Sequence, residues 1–127
     1  MANTKILIVD DEKEILDSLS SILKRANYQV FSTTKGKEAV DLAKEIIPDA
    51  IILDIMMPDM SGDEVAAALS ECPSTAKIPI IFLTAILTKE EEMVRGNFGR
   101  QFVIAKPTTG EKILEMVKNI LAVNPIG

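Results

Sequence analysis

With 127 residues, 47% of them apolar and 26% charged, the chain is sized for one domain with a buried core and is too apolar to be disordered. A net charge of −5, with lysines spread along the chain, leaves no basic stripe to follow a phosphate backbone and argues against direct nucleic-acid binding. Histidine is absent and cysteine occurs once, which excludes Ser-His and Cys-His catalysis, histidine-ligated metals and an internal disulfide.

The start, MANTKILIVDDE, lacks the basic flank, apolar stretch and cleavage site of a signal peptide. A methionine leading straight into an apolar strand favours a natural N-terminus. No apolar run approaches the roughly 18 residues of a membrane span, so the expectation is a cytoplasmic protein without a membrane partner.

The first element is a strand, Lys5 to Asp10 (KILIVD). Ile15, Leu19, Ile22, Leu23 and Ala26 then recur at helical spacing. Tyr28 to Ser32 (YQVFS) is a weaker run and reads as an edge strand. Ala39, Ala43, Ile46 and Ile47 mark a second helix, and Ala50 to Asp54 (AIILD) a third strand. Ser61 with Glu64 has the spacing of a capping box, in which two side chains satisfy orphan amides at a helix start.

Cys72 precedes Pro73 near the end of that third helix and reads as an inert structural thiol, with no histidine to activate it. Pro79 to Thr84 (PIIFLT) is the fourth strand. Thr88 with Glu91 opens a fourth helix with a thin apolar stripe and Gly96 and Gly99 close behind. Gln101 to Ala105 (QFVIA) is the fifth strand. Thr108 with Glu111 opens a fifth helix carrying Ile113, Val117, Ile120 and Leu121. Short, nearly continuous apolar runs suit strands buried on both faces of a parallel sheet. Five such runs alternating with five helices predict a doubly wound α/β domain over residues 1–127.

In an open parallel sheet the working site lies beyond the carboxyl ends of the strands. Asp10 and Asp11 stand there after the first strand, Asp54 at the end of the third, Thr84 and the small Ala85 after the fourth, and Lys106 after the fifth. A lone aspartate after a strand is ordinarily a turn or a helix cap, and Asp11 alone would read as the cap of the first helix. A lone threonine or lysine carries no more. Their convergence on one rim is what gives them meaning. Three carboxylates in one pocket repel unless a cation joins them. Oxygen-only donors suit Mg²⁺, with Mn²⁺ a substitute. Lys106 adds a mobile positive charge and Thr84 a hydroxyl, a set suited to phosphoryl transfer. The acidic run from Glu90 to Glu92 complements a helix dipole, and Met56, Met57 and Met60 read as packing and loop residues.

These residues resemble the response-regulator receiver domains of two-component signalling. The matching stretches are LIVDDE at 7–12, ILDIMMPDMSG at 52–62, IFLTA at 81–85 and Lys106–Pro107, in order along nearly the whole chain. The resemblance implies a flavodoxin-like sheet of order 2-1-3-4-5. It implies Asp54 as phosphoacceptor, with Mg²⁺ held by Asp10, Asp11, Asp54 and the Met56 backbone carbonyl, Asp10 acting largely through a bound water. Lys106, Thr84 and Ala85 would contact the phosphoryl group. Thr84 would be the switch hydroxyl, Pro58 and Gly62 would shape the loop after the third strand, and the Lys106–Pro107 bond would be cis.

The partners implied are a sensor histidine kinase or a histidine phosphotransfer protein, a downstream protein target, and a phosphorylation-dependent dimer. Such a domain promotes its own phosphorylation and dephosphorylation but turns over no separate substrate. Phosphorylation would alter the surface of the fourth helix, fifth strand and fifth helix.

Three positions depart from the family pattern. Val103 stands where the family has Tyr or Phe, so the aromatic half of its switch is missing, and neighbouring Phe102 points to the opposite face of the strand. Arg100 replaces a frequent alanine. Met56 and Ile86 are apolar at positions that tune phosphoryl loss, which predicts a long-lived phosphoryl state.

Other readings fit less well. A haloacid-dehalogenase-type phosphohydrolase needs two carboxylates separated by one residue after its first strand, whereas Asp10 and Asp11 are adjacent. A flavin carrier needs a Ser/Thr/Gly-rich loop there, whereas DDEKE repels phosphate. A degenerate scaffold would lack one of the five site residues, and all are present.

Overall fold

The computed structural model describes residues 4–84, 101–105 and 110–123, with backbone alone at 84, 101–105 and 123. The strands are β1 (Lys5–Val9), β2 (Gln29–Thr33), β3 (Ala50–Asp54), β4 (Ile80–Thr84) and β5 (Gln101–Ala105). The helices are α1 (Lys13–Arg25), α2 (Gly36–Ile46), α3 (Gly62–Ser70) and α4 (Gly110–Val123), the last being the fifth helix expected from the sequence. The helix expected from Thr88 lies outside the described residues, as do Thr108, Lys106 and Pro107.

All five strands pair in parallel in the order β2-β1-β3-β4-β5, so the sheet has the expected topology. Alternation along each strand sorts its side chains into two cores. Leu7, Val9, Ile51, Leu53, Ile80 and Phe82 pack with Ala39 and Ala43 of α2 and with Val65, Ala66 and Leu69 of α3. Ile6, Ile8, Ala50, Ile52, Ile81 and Leu83 pack on the other face with Leu16, Leu19 and Leu23 of α1 and Ile113, Val117 and Ile120 of α4. Because both faces are covered, β1, β3 and β4 need no polar alternation and read as unbroken apolar runs. Burying each such side chain contributes about 1.5–3 kcal/mol.

Several expected boundaries shift. The first strand ends at Val9, leaving Asp10 one residue past it, although the Asp10 amide still donates to the Thr33 carbonyl at 3.3 Å. The edge strand runs Gln29–Thr33 and not Tyr28–Ser32, since its half-exposed residues impose little pattern. The fourth strand starts at Ile80, with Pro79 contributing only its carbonyl, which accepts from the Ile51 amide. In α1 the buried arc is centred on Leu16, Leu19 and Leu23, while Ile15, Ile22 and Ala26 are half-buried. Ile47 is exposed: it closes α2 in the left-handed conformation, at φ 47°, and so leaves the helical stripe.

The end of α3 rests on a buried hydroxyl. Thr75 Oγ1 donates to the Leu69 carbonyl at 2.6 Å and also approaches that of Cys72 at 3.3 Å, serving acceptors that the helix leaves over. Thr75→Val keeps the shape and deletes the donor, so it should cost about 1–3 kcal/mol in urea denaturation, with Thr75→Ser losing less. Equal stability of Thr75→Val and the unaltered chain would show that the hydroxyl is not needed there.

Candidate functional site

Asp10 and Asp54 follow from the strand register. Val9 of β1 pairs with Leu53 of β3, so Asp10 and Asp54 are next in register on neighbouring inner strands. Adjacent strands lie about 4.8 Å apart. Asp10 shares the parity of Ile8, and Asp54 that of Ile52, which directs both carboxylates to the α1/α4 side of the sheet. Both are withdrawn from solvent, with 0% of Asp10 and 2% of Asp54 exposed, a burial that charged residues reach only with partners.

The loop after β1 brings further carboxylates. One ligand oxygen each from Asp10, Asp11 and Glu12 lies within 4.8 Å of the others, with Asp10 buried and the other two exposed. Asp11 does not cap α1: Glu12 is the N-cap residue, without a side-chain cap, and its amide donates to Asp10 Oδ1 at 2.9 Å. The plain helix-cap reading of Asp11 therefore fails. Glu12 is an addition that the sequence did not announce. Its only signal is its place directly after the aspartate pair.

The loop after β3 is pinned at both ends. The Met56 amide donates to Asp54 Oδ1 at 3.3 Å, and the Gly62 amide donates to the Ile55 carbonyl at 2.8 Å. A Cβ at Gly62 would stand 2.5 Å from the Asp54 carbonyl oxygen and 2.7 Å from the Ile55 Cα. Both are backbone atoms that cannot rotate away, so only glycine lets α3 start this close to the end of β3. Ser61 and Glu64 form the expected capping box at the head of α3. Met57 is buried, Met60 half-buried, and Met56 is 56% exposed beside Asp54.

A second carboxylate that sequence reasoning missed stands at the tip of this loop. Asp59 accepts from the amides of Gly36, at 3.2 Å, and Lys37, at 3.3 Å, at the start of α2. Partial desolvation raises its pKa, but the bonds from Gly36, Lys37, Asp59 and Met60 outweigh that and hold it below the usual carboxylate range.

Thr84 ends β4 one residue past Leu83, the register partner of Asp54, and is itself paired with Ala105 of β5. Val103 pairs with Phe82. Lys106 follows β5 in sequence and, with Ala85 and Ile86, lies outside the described residues. The structure therefore brings Asp10, Asp11 and Glu12 together, sets Asp54 on the adjoining strand, and brings the backbone of Thr84 to the same edge.

The match to known proteins is decisive. Residues 6–118 match the model of the response regulator receiver domain. The chain belongs to the response regulator receiver domain family. Receiver domains are signalling switches of two-component systems, and in general they bind Mg²⁺ at an acidic cluster of the kind seen here.

This receiver domain is 37% identical over 119 residues to the response regulator SaeR of Staphylococcus epidermidis, a match covering 94% of the chain and 51% of that protein. The chain thus spans about half the length of the curated relatives it matches. Among solved structures it is similar to the chemotaxis protein CheY4 of Vibrio cholerae, with a TM-score of 0.84 and 30% identity over 94% of this chain and 99% of that one. It is also similar to the signal receiver domain of a signal transduction histidine kinase from Syntrophus aciditrophicus, with a TM-score of 0.80 and 31% identity over 94% and 90%. Among the described residues, no helix is long and apolar enough to cross a membrane.

Gly62→Ala should destabilise the receiver domain by about 1–3 kcal/mol, the usual cost of forced overpacking, and should shift the amide resonances of residues 54–56. Denaturant unfolding and an amide spectrum check this. A stable variant with an unchanged spectrum would mean that the loop has room to spare.

Proposed function

We propose that the protein is a phospho-aspartyl switch in which Asp54 takes a phosphoryl group from a phosphohistidine of a sensor histidine kinase or a histidine phosphotransfer protein. The observation that carries this reading is the burial of Asp54 beside Asp10, at the carboxyl ends of two neighbouring inner strands of a receiver fold. In the transfer, an Asp54 carboxylate oxygen forms a bond to phosphorus. The phosphorus–nitrogen bond breaks, and its electron pair stays on the imidazole nitrogen, which takes up a proton from solvent. Hydrolysis reverses the state: water adds to phosphorus, the acyl oxygen leaves, and the carboxylate is restored. No separate substrate is turned over.

Asp10, Asp11 and Asp54, with the Met56 backbone carbonyl, are the residues that would hold Mg²⁺, or Mn²⁺ in its place. The donor chemistry fits, since hard oxygen donors, two of them buried carboxylates and one the exposed Asp11, suit a hydrated divalent cation. When bound, the ion supplies positive charge against the oxygens of the phosphoryl group. Asp10, with an oxygen already engaged by the Glu12 amide, would act largely through a bound water. Lys106, Thr84 and Ala85 take the roles of phosphoryl contacts.

With Val103 in the usual aromatic place, the output change runs through the Thr84–Thr88 segment and the helix after it, and not through a swinging ring. The altered surface is that of the fourth and fifth helices expected from the sequence and of β5. It is read by a downstream protein target or by a second copy in a phosphorylation-dependent dimer.

Treatment with a small acyl phosphate should add one phosphoryl group, seen by intact mass, only when Mg²⁺ or Mn²⁺ is present. Asp54→Asn should abolish the addition, Asp11→Ala should weaken metal binding strongly, and Thr84→Ala should still label but signal poorly. Undiminished labelling of Asp54→Asn would place the acceptor elsewhere.

A further inference from the structure

We propose that Asp59 is a positioning residue, whose carboxylate clasps the first turn of α2 and thereby holds the 55–61 loop where Asp54 and the Met56 carbonyl serve the acidic pocket. The proposal rests on the phospho-aspartyl reading above.

Helix α2 begins without a local cap. Its N-cap residue, Lys35, makes no side-chain cap bond and has no acceptor to offer. Asp59, more than twenty residues further along the chain, supplies the acceptor instead, one oxygen to the Gly36 amide and the other to that of Lys37. The contact extends beyond these bonds. A Cβ at Gly36 would lie 2.9 Å from both the Cβ and the carbonyl oxygen of Met60 and 3.1 Å from Val65 Cγ2, so the loop backbone sits directly on the first residue of the helix. The tip of the loop is therefore fixed to α2, while its ends are fixed by the Met56 amide on Asp54 and the Gly62 amide on Ile55.

The same helical turn also reaches the other acidic strand end. Glu38 accepts from Thr33 Oγ1 at 2.8 Å, Thr33 Oγ1 accepts from the Lys35 amide at 3.2 Å, and the Thr33 carbonyl accepts from the Asp10 amide. The start of α2 thus lies between the Asp10 and Asp54 branches of the site. Releasing Asp59 removes the polar tie between the Asp54 branch and α2 and leaves the Asp10 branch in place. Loss of a group that orients a metal's ligands typically lowers affinity by about 10–100-fold.

Asp59→Ala by itself would confuse two effects, because a lost cap also weakens α2. Lys35→Ser separates them: a serine hydroxyl at the N-cap accepts from an amide of the first turn and gives α2 a cap of its own, while Glu38 stays on Thr33 Oγ1. The experiment compares the unaltered chain, Asp59→Ala, and the Asp59→Ala/Lys35→Ser pair. Each is read by thermal midpoint, by Mg²⁺ affinity from thermal-shift titration without a phosphodonor, and by labelling rate with a small acyl phosphate.

The expected result is that the second substitution restores the midpoint, while Mg²⁺ affinity and labelling rate stay about tenfold or more below those of the unaltered chain. Asp59→Asn, which keeps one acceptor oxygen, should fall between and serves where the alanine variant fails to fold. Mg²⁺ affinity and labelling of the double variant equal to the unaltered chain, whatever its midpoint, would reduce Asp59 to a helix cap and overturn the proposal. An unaltered chain that neither binds Mg²⁺ nor labels would instead overturn the phospho-aspartyl reading itself.

Discussion

Two carboxylates, Asp10 and Asp54, lie buried at the ends of neighbouring strands whose buried residues are otherwise apolar. Two carboxylates buried this close in register are costly to desolvate and would repel each other unless neighbouring groups offset their charge. A parallel sheet packed on both faces creates the problem: the register that joins β1 to β3 through four apolar pairs also sets Asp10 beside Asp54. On the proposed reading a cation at the open edge would offset the repulsion, and a phosphoryl group would change the charge balance again. The cores on either side fix where these two carboxylates stand.

The loops around the rim are held by backbone bonds more than by apolar contact. Gly62 brings the head of α3 against Asp54 and Ile55, Asp59 fastens the loop tip to α2, and Thr33 links the end of β2 to both Glu38 and Asp10. Two carboxylates of this region therefore sit differently. Asp54 is buried at the end of β3, whereas Asp59 is exposed at the loop tip and engaged with amides that lower its pKa.

Much of the fold was legible because full burial leaves a simple trace. β3 was bounded to the residue, and β1 and β4 within one, since continuous apolar runs have sharp ends. β2 slipped by one because an edge strand has a weaker pattern. In α1 the eye followed Ile15 and Ile22, yet the helix buries Leu16, since packing against the sheet and α4 sets the buried arc more closely than residue type does. At the site, Asp10, Asp11 and Asp54 were readable as strand-end carboxylates. Glu12 joins Asp10 and Asp11, not Asp54, through the fold of the loop, and the Asp59 clasp spans a sequence distance that no local motif encodes. The absence of Ser, Thr, Asp or Asn at the N-cap of α2 was the one trace of a remote acceptor.

The proposal that a divalent cation would relieve two neighbouring buried carboxylates, Asp10 and Asp54, is tested most directly by thermal unfolding of the unaltered chain and Asp54→Asn, each in chelator and in excess Mg²⁺. Asp54→Asn should melt higher in chelator, because one of two neighbouring buried carboxylates is gone, and Mg²⁺ should raise the midpoint of the unaltered chain more than that of the variant. A variant that melts lower in chelator, with Mg²⁺ raising both midpoints equally, would contradict it.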